Sequence, residues 1–389
     1  MPKKLLLLPA LCCLITSAAQ TPEYPLLKLL HKAAENNPDT NTILSPWGLQ
    51  QCYGMVYAGA GQKSQKELEK LLGINASSAE KFHQDAQSLK KTTASLNSFC
   101  AIAVEKQYEL QKSFIRQATQ NFNGHFLKFD LNSKAESLAA LNSIAKKETR
   151  GMLPEPFKPQ ILENSPVMIL MHLLYFQSNW QKPFKKFSTR KQTFSVFSQE
   201  KEKKYSVQMM NDTRLIPYYN DGSIHGITLN YEDPRFKMLI LTTVNKQDSV
   251  LSITRSLAQK GLFHFVKNSS TKNETIIKLP KLDLKSDTDL KNLFCKLGAS
   301  TPFRPLPADL TGMIEDKALY IDQSRQMVKL ILNEEGTEAA AVTFAAMAVG
   351  CAMPAVKTYN HFYADHPFVL LLFDNITGTV LLSGVINRP

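Results

Sequence analysis

An α+β domain is what this chain predicts, and three observations carry the prediction. Helix-period segments dominate the first third of the sequence. Apolar runs of strand character follow residue 165, and the C-terminus reads as two strands around a turn. Helices first and strands later is the order of an α+β domain rather than of a wound βαβ unit. No internal repeat and no long Gly/Ser- or Pro-rich linker divides the 389 residues, 43% of them hydrophobic, so one domain is expected over residues 20–389.

The elements follow in order. Lys3 and Lys4 precede the apolar run Leu5 to Ile15 and the small residues Ser17, Ala18 and Ala19. That is the layout of a secretory signal peptide over residues 1–19, and the run is too short to span a bilayer. A buried N-terminal helix is the weaker alternative. Gln62 to Leu72 places Leu68, Leu71 and Leu72 on one helical face, and Gly73 supplies a stop. Lys134 to Arg150 repeats the pattern with Leu138, Leu141, Ile144 and Ala145, and Gly151 follows. Pro166 to Phe176 is an almost unbroken apolar run, as a strand buried on both faces requires. Lys237 to Val244, Ile276 to Leu284 and Met327 to Leu332 read as further strands. Phe368 to Phe373 and Thr379 to Ile386 flank the turn Asp374 to Gly378.

Motifs of catalysis are missing. There is no HExxH and no GxSxG elbow. Gly59 to Ser64 approaches a phosphate loop, but Gln62 separates the glycine from Lys63, which must follow it directly. The eight histidines form no cluster, no metal or cofactor is expected, and His361 and His366 read as structural. The net charge of +12 permits an acidic ligand, at most a weak polyanion, and calls for neither nucleic acid nor membrane. Its densest clusters are Lys182, Lys185, Lys186, Arg190 and Lys191, then Lys201, Lys203 and Lys204, which read as a solvated face. Among helical lysines Lys81, Lys90 and Lys91 are the nearest to a polyanion site. Cys52, Cys100, Cys295 and Cys351 allow two bridges in an oxidising compartment, but buried free thiols fit the first three equally well.

One segment is unusual. Glu334 to Met353 begins charged and becomes small and apolar, with no charge after Glu338 until Lys357. Propensity alone makes the alanine run a helix. Its place between strand-like stretches, with Gly336 and Thr337 at its start, suits a connection able to change state.

With these residues in view the sequence resembles the serpin family over essentially the whole of residues 20–389. The family's hinge is matched by Glu334, Gly336, Thr337, Glu338, Ala339, Ala340 and Ala341, with Val342 next. Asn41 with Ser45 and Pro46 is similar to the start of the family's second helix. Trp180 with Pro183 and Phe184 matches its breach tryptophan, and Asp309 to Met313 its "DLSG" segment. Asp365 to Phe368 and Ser383 to Pro389 match the closing hairpin. The resemblance implies three β-sheets, eight to nine helices and an exposed reactive loop at about 334–361. It implies a monomer that is not an enzyme but a protease inhibitor. The protease attacks the loop as a substrate, and the cleaved loop enters the large sheet as a new strand and traps the acyl-enzyme. In the family's register, strand alternation implies that Thr337, Ala339, Ala341, Thr343, Ala345 and Met347 face the core, with no charge to bury. A non-inhibitory chaperone, carrier or storage protein is the alternative, which the small hinge residues disfavour.

Family spacing from Glu334 places the cleaved bond at Gly350–Cys351, with Val349, Ala348, Met347 and Met353 as alternatives. All are small or apolar, so the expected targets are elastase-like, chymotrypsin-like or papain-like. One departure stands out where the big sheet opens. The family's Asn and His are replaced by His172 and Gln326, and the second helix carries Gly48 in place of Ser. Ser45, His172 and Gln326 are expected to form this shutter, with a hydrogen bond between the last two holding the sheet closed.

Overall fold

The structure, a computed structural model, describes residues 24–75, 77–89, 92–198, 201–305, 309–314, 319–337 and 357–389. The expected leader lies outside the described residues. So do Lys90, Lys91, hinge positions Glu338, Ala339, Ala340, Ala341 and Val342, and bait candidates Met347, Ala348, Val349, Gly350, Cys351 and Met353.

The described residues form nine α-helices and three sheets. Four helices open the chain: α1 Pro25–Asn36, α2 Pro46–Gly59, α3 Gln62–Leu72 and α4 Ser78–Leu89. Then come α5 Lys112–Phe122, α6 Lys134–Glu148, α7 Leu251–Lys260, α8 Leu262–Lys267 and α9 Leu290–Lys296. α3 matches its predicted span and ends at Gly73, which adopts a left-handed φ of 67° as a helix stop does. The helices after residue 250 are short, and their apolar stripes are too brief to register as a period.

The central sheet has the spatial order β11 (Leu282–Asp289), β12 (Gln323–Leu332), β13 (Gly336–Thr337), β4 (Met168–Asn179), β2 (Ser95–Glu105) and β3 (His125–Phe129). β4 is the predicted apolar run, and nearly all of it is buried. A second sheet runs β1 (Thr42–Leu44), β16 (Val380–Ile386), β15 (Phe368–Asp374), β9 (Phe236–Thr243), β8 (Ile224–Asn230) and β7 (Tyr218–Asn220). It contains the predicted C-terminal hairpin. The third runs β14 (Asn360–Tyr363), β10 (Glu274–Pro280), β6 (Lys201–Leu215) and β5 (Arg190–Ser198).

The expected single strand from Ile276 to Leu284 is two strands in different sheets. β10 pairs with β6, and β11 pairs with β12. Pro280 lacks the N–H needed to continue a ladder, and the chain changes sheet at Lys281.

Helix α2 lies between the sheets, against β4, β2 and β16. It is buried nearly all round, from Pro46 at its first turn through Val56. Of the two readings open at Cys52 and Cys100, bridged or free, the structure shows the bridge: the two are joined in a disulfide between α2 and β2, their Cα atoms 5.6 Å apart, well within bridging range. Cys295 is free and exposed.

Candidate functional site

The central sheet has a seam. β4 and β12 run parallel and pair directly only from Ile169 to Leu174 against Gln323 to Val328. Beyond that stretch they are held apart by β13, which pairs antiparallel with both: Thr337 lies opposite Leu332 on one side and Ser178 on the other. The expectation that the exposed loop begins near Glu334 is therefore corrected. Glu334, Gly336 and Thr337 are buried, and the last two are already a strand of the sheet. At the far end, Asn360 and His361 are likewise strand residues, in β14.

Chemistry explains why these two residues fit. A Cβ at Gly336 would stand 2.2 Å from the carbonyl oxygen of Ser178, so only glycine allows the two backbones to approach this closely. Thr337 is small, and its Oγ1 lies 2.6 Å from the Tyr231 hydroxyl, which satisfies both buried groups. Burial pushes the Tyr231 phenol above its ordinary pKa, so it stays neutral. Tyr231 stacks on Trp180, ring centroids 4.5 Å apart. The Trp180 indole N–H donates to the Asn333 carbonyl at 3.0 Å, and its backbone N–H to the Glu335 carbonyl at 2.7 Å.

Glu334 anchors the root of the hinge. Its carboxylate accepts from Lys281 Nζ at 2.8 Å and from Thr189 Oγ1 at 2.8 Å. Burial works against the charged form, but these donors prevail and hold the carboxyl below the usual glutamate range. Lys281 is the residue at which the chain leaves one sheet for another, so the sheet switch places the cation beneath the hinge. Glu335 pairs with Lys186 at 2.6 Å.

Ser45, His172 and Gln326 meet at a second cluster lower on the same seam. His172 and Thr337's partner Ser178 are six residues apart on β4, roughly 20 Å at strand rise. Gln326 and His172 face each other in the parallel register. The backbone N–H of Ser45 donates to Gln326 Oε1 at 2.7 Å, which fixes the amide orientation. Gln326 Nε2 then donates to the Ser45 carbonyl at 3.1 Å and to His172 Nδ1 at 3.2 Å. His172 must carry its proton on Nε2, which donates to Ser98 Oγ at 2.9 Å. Ser98 donates to Gln51 Oε1, and Gln51 to the Phe122 carbonyl. The chain of bonds links β12, β4, β2, α2 and α5, with each member satisfied. Burial pushes the His172 imidazole down to about 3. A proton on Nδ1 would set two donors head to head, so the site holds the neutral ring.

Sequence reasoning identified His172, Gln326, Ser45, Trp180 and the described hinge residues. It missed Tyr231, Lys281, Thr189, Ser98 and Gln51. Each is an unremarkable polar residue in sequence and gains its role from a long-range pairing; the only local signal was Pro280 beside Lys281.

Comparison with known proteins agrees with this geometry. Residues 26–389 match the family described as "Serpin (serine protease inhibitor)". The leukocyte elastase inhibitor of Xenopus laevis is 27% identical over 93% of this chain and 96% of that protein. The glia-derived nexin of Rattus norvegicus is 23% identical over 93% of this chain and 91% of its own length. The solved structure of native protease nexin-1 with heparin superposes with a TM-score of 0.81 at 22% identity, covering 94% of this chain and 97% of that one.

Proposed function

The chain belongs to the serpin family of serine protease inhibitors, and from that premise we propose that it acts as a suicide-substrate inhibitor of a serine endopeptidase. The observation that carries the reading is the position of β13. Gly336 and Thr337 occupy the first two places of a strand between β12 and β4, bonded on both sides. A loop cut farther along can extend that strand down the seam by parting the parallel β4–β12 pairs. In the proposed sequence the protease's serine hydroxyl attacks the carbonyl at the cut and an ester forms. The amine of the C-terminal fragment leaves, and insertion carries the esterified protease away before water can complete hydrolysis. The small buried hinge residues count against the chaperone, carrier or storage alternative.

The scissile bond is proposed at Gly350–Cys351, or after Val349, Ala348, Met347 or Met353. Side chains of this size and polarity fit elastase-like, chymotrypsin-like or papain-like targets. Export is proposed from the leader pattern of residues 1–19, and the Cys52–Cys100 bridge supports an oxidising compartment.

The test is incubation with a panel of proteases, read as a covalent complex on a denaturing gel, with mass spectrometry of the released peptide to locate the bond. Thr337→Arg discriminates the mechanism. A buried, unpaired guanidinium would cost several kcal/mol, so the variant should be cleaved at the same bond yet yield almost no stable complex. Retention of full complex by that variant would remove the insertion reading.

A further inference from the structure

The strap from Gln181 to Ser198, which joins β4 to the end of β5, was read from sequence as a solvated face. In the structure it is pinned to the hinge: the Phe184 backbone N–H donates to the Glu334 carbonyl at 2.7 Å, Thr189 donates to the Glu334 carboxylate, and Lys186 pairs with Glu335. Its other cations, Lys182, Lys185, Arg190 and Lys191, are all exposed. None of these four has an ion-pair partner among the described residues. Between them in sequence, Phe187 is 75% exposed, with Lys185 Nζ 5.8 Å from its ring centroid.

A surface evolved only for solvation intersperses both signs. Here five cations fall between residues 182 and 191, and no carboxylate occurs from Gln181 to Ser198. Edge-strand cations can serve to block sheet pairing, which accounts for Arg190 and Lys191 on β5 but not for Lys182 and Lys185, which precede it. Nor does it account for an aromatic ring exposed beside Lys185. Aromatic residues and arginine are enriched in protein interfaces, inside a polar rim.

We propose that this strap is a docking surface for an acidic polypeptide that carries an apolar or aromatic side chain, the carboxylates meeting Lys182, Lys185, Arg190 and Lys191 and the apolar group covering Phe187. A sulfated polysaccharide would satisfy the cations and leave the ring in water, so the ring selects a polypeptide. The partner would sit beside the root of the reactive loop, on the segment that holds Glu334 and Glu335.

The experiment uses the intact protein and three labelled probes in fluorescence anisotropy: a random glutamate–tyrosine copolymer, polyglutamate of equal length, and a heparin dodecasaccharide. No protease is present, so the outcome is independent of inhibition. The copolymer should bind most tightly, with affinity that falls steeply with salt. The variant K182E/K185E/R190E/K191E, which leaves Lys186 in place, should lose roughly tenfold or more in affinity for both polypeptides. Phe187→Ala should abolish the preference for copolymer over polyglutamate while leaving polyglutamate binding unchanged. An unaltered thermal midpoint shows that the variants are folded. The proposal is overturned if no polypeptide binds, if charge reversal has no effect, or if heparin binds best and Phe187→Ala changes nothing.

Discussion

Gly48 and His172 are one adaptation in two places. A Cβ at residue 48 would lie 2.1 Å from the imidazole ring, so the ring occupies the space that a side chain on α2 would take. Gly48→Ala should therefore overpack the site and cost about 1–3 kcal/mol. In His172→Asn, which leaves a smaller side chain, the same change should cost far less. Urea unfolding of the two single variants and the double variant measures this coupling; additive costs would show that ring and glycine do not compete. The sequence marked both positions as departures from the family pattern. That one fills the other could not be read, because the approach of α2 to β4 is set by the whole packed layer. The imidazole also sets a pH dependence. Its folded pKa, about 3, lies below the ordinary histidine value of 6.5. The unfolded chain then binds the proton first, so this contribution is complete above about pH 6.5 and is lost as pH falls toward 3. Between pH 5.5 and 4, where the unfolded histidine is protonated and the folded one is not, the wild type should lose about 2 kcal/mol more than His172→Asn, at close to 1.36 kcal/mol per pH unit. Equal slopes in a urea series across that range would refute it.

At the scale of elements, strand and helix positions were legible wherever a long apolar run or period existed, as in α3, β4 and the β15–β16 hairpin. The break between β10 and β11 was less so, because apolar alternation continues past Pro280 while the hydrogen-bond partner changes from β6 to β12. Alternation reports which face is buried and says nothing about which strand lies alongside. The two-residue strand β13 left no pattern at all; its signal was Gly336, whose missing side chain fits against Ser178. Gly336→Ala should expel that strand, since the clash is with backbone and nothing flexible can yield. Thr337 would leave Tyr231, and Glu335 would loosen its hold on the Trp180 backbone. Trp180 is one of two tryptophans, so the expected readout is a red shift of its emission, isolated in a background where Trp47 is replaced by Phe. Unchanged emission would mean that the seam accepts the methyl group and β13 stays in place.

The whole molecule is built so that its central sheet is unfinished. α2 is tied covalently to β2 on one side of the seam through Cys52 and Cys100. On the other side, hydrogen bonds join β12 to Ser45, the residue before α2, through Gln326, and to Tyr53 of α2 through Ser324, the two hydroxyls 2.6 Å apart. Parting β4 from β12 therefore strains replaceable bonds and spares the bridge. What the seam gives up is a short parallel ladder, six residues on each strand. What an inserted loop supplies is two antiparallel ladders that continue β13, and antiparallel pairing is the more stable per residue. The exchange also buries a run of small apolar side chains, Ala339, Ala341, Thr343 and Ala345, in the expected register. Several kcal/mol should follow, and at about 2 °C per kcal/mol for a large domain the thermal midpoint should rise by roughly 10 °C or more once the loop is cut. The measurement is circular dichroism of the protein before and after limited proteolysis between residues 342 and 353. Thr337→Arg, cut at the same bond, should show no such rise, because the arginine bars the first step of insertion. A midpoint that fell or stayed constant in the cut wild type would mean that the sheet is complete as it stands.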